Sequence, residues 1–163
     1  MTDHEKYMRR ALELARIAFD RGETPVGAVI VRNGEIVSEG INGREFGKNA
    51  LYHAEISAIN SACKKLGGWR LCECDLYVTL EPCPMCAGAI INARIKNVYF
   101  GAYDTKAGSF GSIINLSEFP YNHKPYIVGG ILEEECSGIL SEFFKKLRIS
   151  KSIQKRSNET VEE

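Results

Sequence analysis

Nowhere in its 163 residues does the chain approach the roughly 18 consecutive apolar residues of a membrane span, and its N-terminus lacks the apolar stretch of a secretory signal. A soluble, cytoplasmic protein is therefore expected. Net charge is also missing. Lys plus Arg equals Asp plus Glu at 21 each, so total charge gives no general attraction to nucleic acid or to a lipid surface, and any basic patch must come from local distribution. Internal repeats, low-complexity stretches and linker-like segments are absent too. The length suits one domain able to bury a core without disulfides or metal to hold it together. That domain is expected over residues 1–150, followed by a basic, frayed C-terminal tail over 151–163.

Cysteine, by contrast, is plentiful at six residues. A chain with no export signal sits among reducing thiols, where cysteines pack or bind metal more often than they pair. Cys63 and Cys136 fall at helical spacing among apolar neighbours and read as small core residues. Cys72 and Cys74 flank a strand start and stay open. The other two stand in Pro82-Cys83-Pro84-Met85-Cys86, and Cys83 follows the histidine of His53-Ala54-Glu55 by 30 positions. Together these segments offer three zinc ligands, His53, Cys83 and Cys86, and one carboxylate, Glu55, that is not a ligand. Four protein ligands close a structural zinc site, whereas three leave a position for water. Zinc lowers the pKa of such a water from 15.7 to about 7, which makes it a nucleophile at neutral pH. Glu55 is placed to handle its proton. A lone Cys-x-x-Cys would fit a redox pair, or a structural zinc completed by Cys72 or Cys74. The joint His-x-Glu and Pro-Cys-x-x-Cys pattern is that of zinc-dependent nucleobase deaminases.

The spacing of apolar residues predicts where these motifs sit. Thr2 and Glu5 have capping-box spacing, and Tyr7, Met8, Ala11, Leu12, Ala15, Ala18 and Phe19 then share one helical face up to Gly22. Val26 to Val31 and Glu35 to Ile41 read as two antiparallel strands about an Asn33-Gly34 turn. After a loop from Gly43 to Tyr52, a second helix is expected from near His53 to Leu66. A buried strand, Leu76 to Leu80, leads to a third helix from near Cys83 to Ala93, so Cys83 and Cys86 share one face. Val98 to Phe100 and Tyr126 to Val128 read as strands on either side of a long loop of the kind that is usually functional. From Glu133, Cys136, Ile139, Leu140, Phe143, Phe144 and Leu147 mark a final amphipathic helix, and Ser157 to Glu163 is expected to fray. Strands alternating with helices point to an α/β sandwich around one sheet.

With these motifs placed, the chain resembles the bacterial tRNA-specific adenosine deaminases of the cytidine deaminase-like superfamily over roughly residues 5 to 148. Besides the zinc motifs, the resemblance rests on Pro25-Val26-Gly27-Ala28-Val29, Asn42, Leu76-Tyr77-Val78-Thr79-Leu80-Glu81-Pro82, Phe100-Gly101-Ala102 and Phe143-Phe144. It implies a three-layer α/β/α sandwich with a mixed five-stranded sheet, a homodimer, and hydrolytic conversion of adenosine to inosine at the anticodon wobble position of tRNA. Carried over residue by residue, it makes His53, Cys83 and Cys86 the Zn2+ ligands and Glu55 the proton shuttle. Asn42 becomes a pocket residue that meets the nucleoside, and Asp104 and Lys106 become loop residues that meet the RNA.

The chain departs from the family pattern at Ala50-Leu51-Tyr52, where Pro-Thr-Ala is usual, and at Tyr103, where related sequences often carry an acid. Both lie beside the expected pocket, so the second substrate class is a free base or nucleoside such as guanine, cytosine or adenosine, deaminated at the same zinc site. Lys145 to Arg156 holds six basic residues and no acid. That strip suits either a phosphate contact or a solvated helix face, and the resemblance favours the first. His123 reads as a surface residue, and His4 has no evident use beyond helix capping.

Overall fold

The structure, a computed structural model, describes residues 1–161. Helix α1 (Asp3–Asp20) starts at a complete capping box: the Thr2 hydroxyl accepts from Glu5 N, and the Glu5 carboxylate accepts from Thr2 N. Its buried face is the expected one, except that Leu14 is buried and Leu12 only partly so. Strands β1 (Gly27–Arg32) and β2 (Glu35–Ile41) form a hairpin whose two turn residues, Asn33 (φ 51°) and Gly34 (φ 77°), both take the left-handed conformation that an Asn-Gly turn supplies. A bulge after Ile30 shifts the register, so Val31 pairs with Ile36.

Helix α2 (Ala54–Leu66), strand β3 (Cys74–Leu80), helix α3 (Pro84–Asn92) and strand β4 (Asn97–Ala102) follow, then strand β5 (Tyr126–Val128) and helix α4 (Glu133–Val161). The sheet order is β2-β1-β3-β4-β5, with β1 antiparallel to both its neighbours and β3, β4 and β5 mutually parallel. Helices α2 and α3 cover one face, where Ile30, Leu76, Val78, Ile90 and Phe100 form the larger core. Helices α1 and α4 cover the other, over Met8, Val29, Tyr77, Tyr99 and Cys136. The expected three-layer sandwich with a mixed five-stranded sheet is therefore present. Central β3 is buried on both faces, as a strand packed between helix layers must be.

Three local expectations give way. Helix α4 continues to Val161 instead of fraying from Ser157, and the part of that expectation that falls on Glu162 and Glu163 lies outside the described residues. Its later turns have no apolar face, so periodicity carries no helix signal there, while their Lys, Arg, Gln and Glu content favours helix. Phe144 and Leu147 are not core residues; both are more than a third exposed. His4 packs as an aromatic: its Nδ1 lies 2.7 Å from the Tyr77 hydroxyl, and its ring lies 4.3 Å from that of Tyr99. Cys136 is buried and Cys63 partly so against the core, while Cys72 is exposed and Cys74 buried at the start of β3.

Candidate metal centre and substrate cavity

His53 and Cys83 occupy equivalent positions. Each is the N-cap of its helix, α2 and α3 respectively, with an extended backbone and a side chain that makes no capping hydrogen bond. An N-cap side chain ordinarily turns back to bond the helix's free N–H groups. Here the two turn toward each other instead. Pro84 stands at the start of α3, where its missing N–H costs nothing. Two residues further on, Cys86 points from the first turn of the same helix to the same place. Both helices thus aim their positive ends at one spot, which favours thiolates and other anions there.

The geometry fits zinc. A tetrahedral ion with Zn–N about 2.05 Å and Zn–S about 2.3 Å holds its N and S ligands about 3.6 Å apart. His53 Nδ1 lies 3.6 Å from Cys83 Sγ and 3.5 Å from Cys86 Sγ, and the three ligand atoms all fall within 4.8 Å of one another. Among the described residues no fourth Cys, His, Asp or Glu joins this group, so Cys72 and Cys74 do not close the site. One imidazole and two thiolates form a borderline-soft donor set of the kind zinc takes.

Protonation follows from the same contacts. The Cys86 thiol bonded to Cys83, with His53 beside it, holds the Cys83 thiol at about 4, well below its ordinary 9.0. That same bond, with burial, pushes Cys86 far up. His53 is raised, chiefly by its bond to the Cys83 sulfur. A cation bound at this centre displaces these shared protons, which ties metal affinity to pH. Glu55, in the first turn of α2, is buried, and burial raises its carboxyl above the usual range.

A cavity of about 450 Å3 opens over the centre, a size that holds a nucleoside-sized ligand. Asn42, His53, Glu55 and Cys83 line it together with Tyr103, Asp104, Lys106 and Phe144. All the expected site residues therefore meet at one place, with Cys86 beneath it as the buried third member of the metal group. Asn42 lines the cavity but is buried; its Nδ2 donates to Thr24 O (3.1 Å), while its Oδ1 is enclosed without a partner. Asp104 Oδ1 accepts from Lys106 N (3.0 Å) and Ala107 N (3.1 Å), which forms the turn that presents Lys106. Of the departures from the family pattern, Tyr103 lines the cavity, whereas Leu51 and Tyr52 are exposed outside it. His123 Nε2 lies 2.7 Å from Ile95 O and ties its loop to the residues before β4.

Two further acids were not picked out by sequence reasoning. Glu81, at the end of β3, is buried and accepts from Asp104 N (3.1 Å), Phe110 N (3.2 Å), Ser112 N (3.1 Å) and the Ser112 hydroxyl (2.5 Å). A Cβ at Gly108 would strike its carboxylate, so this loop closes tightly around it. Glu23 is likewise buried and accepts from Glu45 N (3.1 Å) and Phe46 N (2.6 Å), fixing the segment that brings Arg44 to the cavity. Both are carboxylates satisfied by main-chain donors, and both hold a wall of the cavity in place. Their only sequence signal is an acid beside Gly or Pro at an element end, which is too common to single out.

A three-ligand zinc centre beside a buried carboxylate, set at helix N-termini over the C-terminal ends of parallel strands, defines a zinc-dependent hydrolytic deaminase. Residues 1–102 match the family described as the cytidine and deoxycytidylate deaminase zinc-binding region. The tRNA-specific adenosine deaminase of Bacillus subtilis is 49% identical over 158 residues, which covers 96% of this chain and 98% of that one. A solved structure from work on A-to-I editing by tRNA:A34 deaminases at the wobble position superposes with a TM-score of 0.80 at 42% identity, over 82% of this chain and 98% of the other. A guanine deaminase from Bacillus subtilis superposes with a TM-score of 0.62 at 39% identity, over 77% of this chain and 84% of the other. The chain belongs to the cytidine and deoxycytidylate deaminase zinc-binding family, in its tRNA-specific adenosine deaminase branch. No described helix is long and apolar enough to cross a membrane.

Proposed function

We propose that this protein converts adenosine to inosine at the wobble position of a tRNA anticodon, with His53, Cys83 and Cys86 holding Zn2+ and Glu55 moving the protons. The observation that carries the reading is the convergence on one cavity of this metal group, the buried carboxylate of Glu55 and Asn42. Zinc, when bound, acts as a Lewis acid that makes water acidic enough to serve as a nucleophile near neutral pH.

Glu55 takes a proton from the attacking water and passes it to N1 of the adenine as a C6–O bond forms. It then takes the second proton of the added water and delivers it to the exocyclic amine as the C6–N bond breaks, so adenosine and water become inosine and ammonia. Burial, which raises the Glu55 carboxyl above the ordinary range, makes it a stronger base than an exposed carboxylate. Asn42, which lines the cavity, meets the nucleoside and fixes its orientation. Asp104 holds the turn that aims Lys106 at a phosphate. Phe144 lines the cavity on the turn of α4 that leads into Lys145, Lys146 and Arg148, so the basic strip begins at the rim, where the rest of an anticodon loop would emerge.

A free base or nucleoside, such as guanine, cytosine or adenosine, is the second reading, supported by the likeness to a guanine deaminase and by Tyr103 in the cavity lining. Incubating the zinc-loaded protein with an anticodon stem-loop carrying adenosine at the wobble position, and separately with guanine, cytosine and adenosine, separates the two. Inosine in the stem-loop with no ammonia from the small substrates supports the first reading, and the reverse supports the second. We further propose a cytoplasmic homodimer, with residues 1–150 as the deaminase domain. The exposed Ile113, Ile114 and Phe119 form apolar surface that a second copy would cover, which sedimentation tests directly.

A further inference from the structure

At the far ends of α2 and α3 from the metal ligands, two arginines share one indole. Trp69, the single tryptophan of the chain, is 51% exposed. The guanidinium carbon of Arg70 lies 4.2 Å from its ring centroid and that of Arg94 5.6 Å, so the two cations sit no more than about 10 Å apart. Among the described residues neither makes an ion pair, nor do Lys64, Lys65 or Lys96 nearby. Main-chain bonds from Leu71 N to Ala93 O (2.7 Å) and from Lys96 N to Cys74 O (3.0 Å) join the two segments into one surface. The two acids in it are engaged: Glu73 pairs with Arg32 at 3.2 Å, and Asp75 accepts from Asn97 at 2.7 Å.

A chain with no net charge thus concentrates unpaired cations at one end of its sheet. Part of this has a local explanation. Lys64 and Lys65 complement the negative end of α2, and Arg94 donates to Ile91 O (2.9 Å) and Asn92 O (3.1 Å) at the end of α3. Arg70 has no such use. Its repulsion from Arg94 is relieved by Trp69, which holds the exposed Arg70 fork in place, whereas Arg94 is half-buried and keeps Nη1 on the two carbonyls. Such a fork suits phosphate oxygens, and the ordering cost of binding is largely removed beforehand.

We propose that Trp69, Arg70 and Arg94 form a phosphate contact for RNA that is separate from the catalytic cavity. Helix α2 has 13 residues and spans roughly 20 Å, which sets the distance of this patch from His53. One nucleotide cannot touch both sites, so the patch grips the polynucleotide backbone outside the cavity. The inference rests on RNA being the substrate.

The test titrates zinc-loaded protein with tRNA at several salt concentrations, following Trp69 fluorescence, affinity and inosine formation. Tryptophan emission should change on RNA addition. Arg70→Gln should weaken binding and flatten the slope of log K against log salt by about 1, and Arg70→Gln with Arg94→Gln by about 2. The loss should fall on KM with zinc content unchanged. Arg70→Gln leaves the α3 cap intact, so it answers even if the double variant folds poorly. Wild-type affinity and slope in Arg70→Gln, from a protein that deaminates RNA, would overturn the patch alone. A wild-type protein that neither binds nor deaminates RNA would overturn the substrate reading beneath it. Emission that responds to inorganic phosphate as strongly as to RNA would make this a small-anion site and overturn the RNA contact.

Discussion

Replacing Glu81 by Gln tests whether the cavity wall depends on a carboxylate that performs no chemistry. Its two oxygens accept four hydrogen bonds, from Asp104 N and the Ser112 hydroxyl on Oε1 and from Phe110 N and Ser112 N on Oε2. An amide keeps the size but turns one oxygen into a donor. If the new NH2 takes the Oε2 position it faces two main-chain N–H groups, neither of which can reverse. If it takes the Oε1 position, the Ser112 hydroxyl can turn and accept, and only Asp104 N–H is left without a partner. The second orientation should therefore win, at the cost of one partly buried unsatisfied donor, about 1–3 kcal/mol. For a domain of this size each kcal/mol shifts Tm by roughly 2–4 °C, so a fall of roughly 2–12 °C is expected. The freed donor sits at Asp104, whose turn presents Lys106, so KM for an RNA substrate should rise while zinc content stays full. Calorimetry, metal analysis and steady-state kinetics on the one variant check all three. An unchanged Tm with an unchanged KM would refute the account of this loop.

Cys86→Ala should lower bound zinc and Tm together, and chelation of the wild-type protein should lower Tm in the same direction, because ligand binding to the native state adds stability. A full zinc complement in the variant would remove Cys86 from the centre. Gly40→Ala should destabilise by about 3 kcal/mol or more, since its Cβ would run into the main chain of Ala54 and Ala58 and displace the first turn of α2, which carries Glu55 just after His53. Normal urea unfolding in that variant would contradict the close packing of β2 on α2. Neutralising Lys145, Lys146 and Arg148 should flatten the salt dependence of RNA affinity by about 1 per lost phosphate contact. An unchanged slope would leave that face of α4 merely solvated. Alkylation of the native zinc-loaded protein near pH 8 should modify exposed Cys72 well before Cys136, whose thiol burial pushes up to about 12. Equal rates, read by mass spectrometry, would contradict that burial.

The metal centre was legible because its residues come in two short, locally spaced groups, and because Gly, Pro and apolar periodicity mark where α2 and α3 begin. The hairpin was legible for a similar reason: Asn33-Gly34 satisfies a two-residue turn from within itself. Glu23 and Glu81 were not, since their partners are main-chain N–H groups brought close only by the tertiary fold. Phe144 and Leu147 continue the apolar spacing of α4, but both stay more than a third exposed, and Phe144 lines the cavity instead of joining the core. His4 depends on Tyr77 and Tyr99, more than seventy residues away in the chain, for the contacts that define it.

The most direct test of a zinc deaminase that uses Glu55 as its proton carrier is single-turnover inosine formation by Glu55→Gln, with zinc measured on the same sample. The amide preserves size but cannot take a proton. The account predicts a full zinc complement, an unchanged Tm within a few degrees, and a rate reduced by roughly 10²–10⁴-fold or more. A near-normal rate with zinc in place would contradict it.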